Sequence, residues 1–255
     1  MGMRFDSLKG KRVLITGSSR GIGKALAIGF AKNGAAVALH GVSDGKALND
    51  TFAEASEYTD KVVKVLGDLG DPNVPERMIR ETIEKLGGID ILICNVSIQI
   101  RKKWLEITHE EMLAQTQVNF FSTVSLIQNA VPCMIENGWG RIITIGSVQQ
   151  DKPHPDMLIY SATKCAVHNV VKSLALQLAE KNITVNNVPV GTIYTDRNIE
   201  ALADEDYHKI VKESIPMKKI GEPEDCVGAV LMLSSEEGKY ITGENLHIDG
   251  GKFIQ

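Results

Sequence analysis

Several things are missing from this 255-residue sequence, and each absence removes a class of function. Its four cysteines, Cys94, Cys133, Cys165 and Cys226, show no C-x-x-C spacing, so neither a zinc site nor a disulfide framework is indicated. Free thiols in a reducing compartment are expected. The histidines His40, His109, His154, His168, His208 and His247 lack ligand spacing, and "HEEM" has no second histidine of a zincin, so no metal is expected. No apolar run approaches the roughly 18 residues of a membrane span, and "MGMRFDSLKGKR" is too polar for a signal peptide. These features lead to the expectation of a cytoplasmic chain with no membrane partner. An excess of one charge is also lacking: 28 basic residues stand against 32 acidic, which argues against nucleic acid as the main partner. There is no internal repeat, low-complexity tract or linker, so residues 1–255 are expected to form one large domain.

What the chain does contain is a rhythm. Short apolar runs, "RVLIT" (12–16), "AAVALH" (35–40), "VVKVL" (62–66), "IDILICN" (89–95), "RIITIGS" (141–147), "ITVNNVPV" (183–190) and "NLHID" (245–249), alternate with amphipathic helical stretches such as "IGKALAIGFAKNG". Strands this uniformly apolar are buried on both faces, which predicts an α/β fold: a doubly wound parallel sheet of about seven strands with helices on each side. One segment breaks the alternation. Residues from about 191 to 220, with no buried strand, read as a substrate-loop insertion or lid. Within it "ADEDYHKIVKE" reads equally as a solvated helix face or as a substrate contact.

The first strand runs into "TGSSRGIG", with Gly17, Gly21 and Gly23 ahead of a helix. Glycines there let backbone N–H groups and the positive end of the helix approach a pyrophosphate, so a dinucleotide is the natural ligand of a Rossmann-type domain. The spacing is G-x-x-x-G-x-G and departs from the commoner G-x-G-x-x-G. The second strand ends "LHGVSDG", with Gly41 and Val42 where an NAD-pairing acid or an NADP-pairing arginine would be sought and Asp44 further on, so neither cofactor is clearly signed there. Arg20 and Ser43 tilt the choice toward NADP over NAD, although Arg20 also reads as a solvent-facing side chain. Asp68 after the third strand is placed either to accept from the adenine amino group or to cap a helix.

Asn119 in "QVNFFS", Ser147 at the end of "RIITIGS", and Tyr160 with Lys164 in "YSATK" carry the chemistry. Helical i and i+4 positions share a face, so the ammonium of Lys164 sits beside the phenol of Tyr160 and favours its ionised form. Ser147, ending a central parallel strand, is placed to hydrogen-bond a reacting oxygen. The Tyr-x-x-x-Lys pair alone is weak evidence. Its conjunction with the serine and the glycine turn is what gives it meaning.

Over essentially its whole length the chain resembles the short-chain dehydrogenase/reductase family. The family's T-G-x-x-x-G-x-G matches Thr16 to Gly23, and its tetrad falls on Asn119, Ser147, Tyr160 and Lys164. The resemblance implies that Tyr160 is the general acid/base, that Lys164 tunes it and holds the nicotinamide ribose, that Ser147 orients substrate and that Asn119 keeps a relay water. It also places Gly17, Ser19, Arg20, Gly21, Ile22, Gly23, Ser43, Asp68, Leu69, Asn95, Gly191 and Thr195, with Tyr160 and Lys164, on the cofactor. Two departures stand out. The family's N-N-A-G is Cys94-Asn95-Val96-Ser97 here, and its P-G is Val190-Gly191, with proline one place earlier at Pro189.

Within the family, "NVSIQIRKKWLEI" and "VQQDKPHPDM" look most like gluconate 5-dehydrogenases and related sugar-acid or polyol dehydrogenases. Arg101, followed by Lys102 and Lys103, could bind a carboxylate or form a solvated face, and Gln149, Gln150 and His154 offer groups for substrate hydroxyls or ordinary loop polarity. The expected substrate contacts are Ser147, Gln149, Tyr160, Arg101 and His154. A 3-oxoacyl-carrier-protein reductase is the runner-up, and a catalytically silent dinucleotide-binding sensor or scaffold is the alternative outside enzymology. The resemblance further implies a homotetramer acting on a small-molecule substrate.

Overall fold

The computed structural model describes residues 5–255; residues 1–4, the start of the polar N-terminal stretch, lie outside the described residues. Six strands, β1 (Arg12–Ile15), β2 (Ala36–Gly41), β3 (Val62–Leu66), β4 (Ile91–Cys94), β5 (Gly140–Ser147) and β6 (Ile183–Val190), form one sheet in the order β3-β2-β1-β4-β5-β6. Every pairing is parallel. Their uniform apolarity has a simple cause. Alternate residues face opposite sides, so Val13, Ile15, Val37, Leu39, Ile91 and Ile93 enter one core while Leu14, Ala38 and Leu92 enter the other.

Helices α1 (Gly21–Lys32), α2 (Lys46–Ser56) and α9 (Val227–Ser234) close the first core with Leu26, Phe30, Leu48, Val230 and Leu231. Helices α3 (Val74–Leu86), α5 (Ser122–Glu136) and α6 (Leu158–Leu178) close the second with Met78, Ile79, Leu126, Ile127, Val171 and Ala175. The strand order reverses between β1 and β4, and a crevice opens there at the carboxyl ends of the strands.

Helix α4 (His109–Thr116) starts at a capping box, in which Thr108 accepts from the Glu111 N–H and the Glu111 carboxylate accepts from the Thr108 N–H. It runs into α5 through a π turn, Gln117–Phe121. By length and composition His109–Glu136 is apolar enough to cross a membrane, but its apolar side is committed to the second core through Leu126, Ile127, Ala130 and Met134.

The seventh apolar run does not form a continuous strand. Residues 244–248 lie parallel to β6 and exchange Asn187 N–H to Glu244 C=O (2.9 Å), Leu246 N–H to Asn187 C=O (3.0 Å) and Ile248 N–H to Pro189 C=O (2.8 Å). The rung between them would need an N–H on Pro189, which proline lacks, so the ladder breaks into isolated bridges at Asn187 and Val190. The 191–220 segment, in turn, is not bare loop. It folds as α7 (Asp196–Leu202) and α8 (Glu205–Glu213), which share a small apolar cluster of Leu202, Val211, Ile215 and Ile220. The "ADEDYHKIVKE" run supplies α8, whose residues Tyr207 and Val211 face the crevice.

Candidate active site

The crevice is a cleft of about 680 Å³. At one end lies the glycine turn. Gly17 (φ +66°) and Gly21 (φ +54°) adopt the left-handed region, and a β-carbon on Gly23 would lie 2.2 Å from the Gly17 carbonyl oxygen, so the turn and the first turn of α1 close on each other as only glycine permits. Helix α1 begins at Arg20 with no side-chain cap and no acid in its first turn. Its N–H groups are thus left for an external anion, which fits the pyrophosphate of a dinucleotide.

Three neighbours hold the turn. Asn95 Nδ2 donates to the Thr16 carbonyl (2.9 Å) and to the Gly17 carbonyl (3.2 Å), while Thr16 Oγ1 accepts from the Asn95 N–H (2.8 Å). Val96 packs on the same turn, because a β-carbon on Gly17 would come within 2.9 Å of Val96 Cγ2. His40, which the sequence offered only as a poor metal ligand, is buried: its Nδ1 accepts from the Gly17 N–H (3.0 Å) and its Nε2 faces the Gly67 carbonyl (2.9 Å). It clamps the ends of β1, β2 and β3 together.

At the adenosine end, Gly41, Val42, Asp68 and Leu69 line the cleft; the first acid after β2, Asp44, pairs with Lys64 at 2.7 Å. Asp68 Oδ1 accepts from the Gly70 N–H (2.8 Å), so it orders its own turn while facing the cleft. Arg20 lines the cleft with Ser19 and Ile22, and its guanidinium pairs with Asp196 at 3.0 Å across to α7. Gly191 and Thr195 close the far wall. A β-carbon on Gly191 would meet Asp249 Cα at 2.9 Å, which explains a glycine there although the proline sits one place early. Ser43 and Gly23 are not among the lining residues; Gly23 acts from behind, through the turn.

At the chemical end, Ser147 closes β5 and the first turns of α6 bring Tyr160 and Lys164 beside it, all three buried. Lys164 Nζ stands 5.6 Å from the Tyr160 ring centre and donates to the Ile145 carbonyl (2.7 Å). Burial pushes the Tyr160 phenol up, but Lys164, then Arg197, then the Ser147 and Ser97 hydroxyls bonded to it bring it below the ordinary tyrosine range. Burial lowers Lys164, its tyrosinate partner opposes that, and Arg197 adds to it. Cys94, where the family motif has asparagine, is a buried thiol pushed up to about 12 and so stays protonated.

Asn119 lies in the π turn behind the cleft wall. Its Oδ1 accepts from the Ile98 N–H (2.8 Å) and its Nδ2 donates to the Ile98 carbonyl (2.9 Å) and Thr163 Oγ1 (3.2 Å), so it ties the loop after β4 to α6. Arg101, Gln149 and His154 line the mouth beside Tyr160. Gln149 Oε1 accepts from the His154 N–H (2.6 Å), and Arg101 Nη2 approaches His154 Nε2 at 3.4 Å. Sequence reasoning picked out Ser97 only as a departure from the family motif and missed Arg197; both line the cleft.

A family model described as "Enoyl-(Acyl carrier protein) reductase" matches residues 17–252. The glucose 1-dehydrogenase of Gluconobacter oxydans (strain 621H) is 37% identical over 249 residues, covering 96% of this chain and 93% of that one. The chain belongs to the short-chain dehydrogenase/reductase family. Two solved structures place it further. A 3-oxoacyl (acyl-carrier-protein) reductase from Agrobacterium tumefaciens C58 with NADP bound superposes with a TM-score of 0.91 at 35% identity, covering 96% of this chain and 95% of its own. A candidate NAD(P) dependent gluconate 5-dehydrogenase from Beutenbergia cavernae, with bound NADP at low occupancy, gives 0.93 at 28% identity, covering 98% and 99%. This short-chain dehydrogenase/reductase is an NAD(P)-dependent oxidoreductase.

Proposed function

We propose that the enzyme interconverts a secondary alcohol and a ketone on a sugar acid or polyol, using NADP(H) in preference to NAD(H). The observation that carries the substrate class is the wall of Arg101, Gln149 and His154 beside Ser147 and Tyr160: it is polar and hydrogen-bonded, suited to hydroxyls and a carboxylate rather than to an acyl chain. NADP is supported by Arg20 at the mouth and by Gly41 and Val42 at the end of β2, where an NAD site carries an acid; Asp44, further on, pairs with Lys64.

A bound nicotinamide supplies the hydride acceptor or donor. In the oxidative direction the Tyr160 phenolate takes the proton of the substrate hydroxyl, while the Ser147 hydroxyl holds the same oxygen. Lys164 stabilises the phenolate, and beyond its bond to Ile145 it keeps two donors for a ribose. Asn119 fixes the loop after β4, and Thr195 borders the nicotinamide end.

Assembly belongs to the same proposal. Leu113, Phe121, Ile135, Leu158 and Leu176 leave apolar side chains exposed on α4, on the π turn, on α5 and on α6. A homotetramer joined through these long helices and the 244–255 segment would cover such surface. The four described cysteines are free thiols, which suits a reducing cytoplasm.

A second reading, reduction of a 3-oxoacyl carrier-protein thioester, draws on the Agrobacterium relative. One panel separates these readings: aldonates, keto-sugars, polyols and acetoacetyl thioester assayed with both cofactors. Turnover of aldonates or polyols supports the proposal, and turnover of the thioester alone replaces it with the second reading. Cofactor binding without any turnover would leave a dinucleotide sensor.

A further inference from the structure

The α7 segment carries one cation across the cleft. Arg197 Nη2 donates to both the carbonyl (2.6 Å) and the hydroxyl (3.1 Å) of Ser97. The same Ser97 hydroxyl helps hold the Tyr160 phenol below the ordinary tyrosine range. Arg197 and Tyr160 line the same cleft, with Ser97 between them. Ser97 stands where the family's motif has glycine, so its hydroxyl gives Arg197 a second acceptor beside the backbone carbonyl.

Its charge is unanswered. Among the described residues no carboxylate lies within 4.0 Å of Arg197, since Asp196, its neighbour in sequence, turns to Arg20 instead. The hydrogen bonds of Arg197 to Ser97 both use Nη2, which leaves the donors of Nη1 and Nε for an anion, and the planar fork of arginine matches a carboxylate in a way lysine does not. Lys164 and Arg101 border the same space, and Asp68 lies at the adenosine end. Crowding like charges beside a buried ammonium is unfavourable, and an anion held between them relieves it.

We propose that Arg197 anchors a carboxylate of the substrate, carried one or two carbons from the carbinol that Tyr160 and Ser147 serve. The proposal rests on the sugar-acid reading above and sharpens it: the ketone forms at C2 or C3 of the acid, near the carboxylate and not at the remote end. Arg101, further out at the mouth, is then left for the distal hydroxyls.

The test compares wild type, Arg197→Met and Arg197→Lys on an aldonate and its matching alditol. Product position is read by NMR and NADP(H) affinity by fluorescence titration. Arg197 is exposed on its helix, so both variants are expected to fold, which circular dichroism checks. The expected result is a fall of about 10- to 100-fold in the acid-to-alditol ratio of kcat/KM for Arg197→Met, mostly through KM, with partial recovery in Arg197→Lys. The pH profile for oxidation should also move to higher pH, because one of the cations favouring the phenolate is gone.

An unchanged ratio, or a ketone remote from the acid, overturns the proposal while leaving the sugar-acid reading in place. A matching loss of NADP(H) affinity overturns it too, by assigning Arg197 to the cofactor phosphates. If wild type oxidises neither the acid nor the alditol, the sugar-acid reading itself has failed, and the anchor fails with it.

Discussion

Replacing His40 by leucine isolates a single clamp behind the glycine turn. In the native protein Nδ1 accepts from the Gly17 N–H, so the proton rides on Nε2 and is given to the Gly67 carbonyl. Leucine has similar bulk and neither function, leaving a part-buried N–H and a buried C=O unpaired. Each such group costs about 1–3 kcal/mol, partly offset by relief of imidazole desolvation, so a net loss of about 2–4 kcal/mol is expected. For a chain of this size that lowers the melting temperature by about 5–15 °C.

The same residue predicts a pH signature. Burial lowers the His40 pKa, with Gly67 and Asp68 opposing only in part, so the folded state holds the neutral ring below the ordinary histidine value of about 6.5. The unfolded chain takes up a proton first. The stabilisation is therefore complete above about pH 6.5 and is lost as pH falls from there toward the folded value, at up to about 1.4 kcal/mol per pH unit. Urea unfolding of both proteins between pH 5.5 and 7.5 reads the difference. His168 also has a lowered pKa, but it is common to both proteins and cancels. A variant as stable as wild type, or one with the same pH slope, would refute the clamp.

Two further substitutions probe the site. Tyr160→Phe removes the acid/base but keeps the packing, so turnover should drop by about 10²–10⁴-fold while fluorescence titration shows NADP(H) binding intact; retained activity would remove Tyr160 from its role. Gly23→Ala sets a methyl against the Gly17 carbonyl, where the obstructing atom is backbone and cannot swing away. It should cost about 1–3 kcal/mol in thermal unfolding and at least tenfold in cofactor affinity by calorimetry, and wild-type values in both would mean that the turn is looser than its geometry.

The sheet was legible because both of its faces are buried, so every strand announced itself as an apolar run. The one misjudged strand shows the limit of that signal: "NLHID" has the right composition, but its partner offers Pro189 where a donor is needed, and hydrogen-bond register cannot be seen in apolar pattern. Tyr160, Lys164 and Ser147 were readable because their spacing follows from one helix and one strand end. His40, Ser97 and Arg197 were not, since each acts through contacts between segments far apart in sequence: His40 with Gly17 and Gly67, and Arg197 with Ser97. Val42 borders the cleft and Ser43, one residue on, does not, a difference that position in the sequence alone does not show.

The π turn at Gln117–Phe121 bears on how this protein can change over generations. One residue too many for a regular helix is lodged there, and it swings the Asn119 amide onto Ile98 and Thr163. Deleting a single residue from the turn would let α4 and α5 fuse into an ordinary helix and rotate position 119 by roughly 100°. Such a deletion would break the three hydrogen bonds that tie the loop after β4 to α6 and turn one of the two helices off its packed face, so this stretch should tolerate substitution far more readily than a change in length.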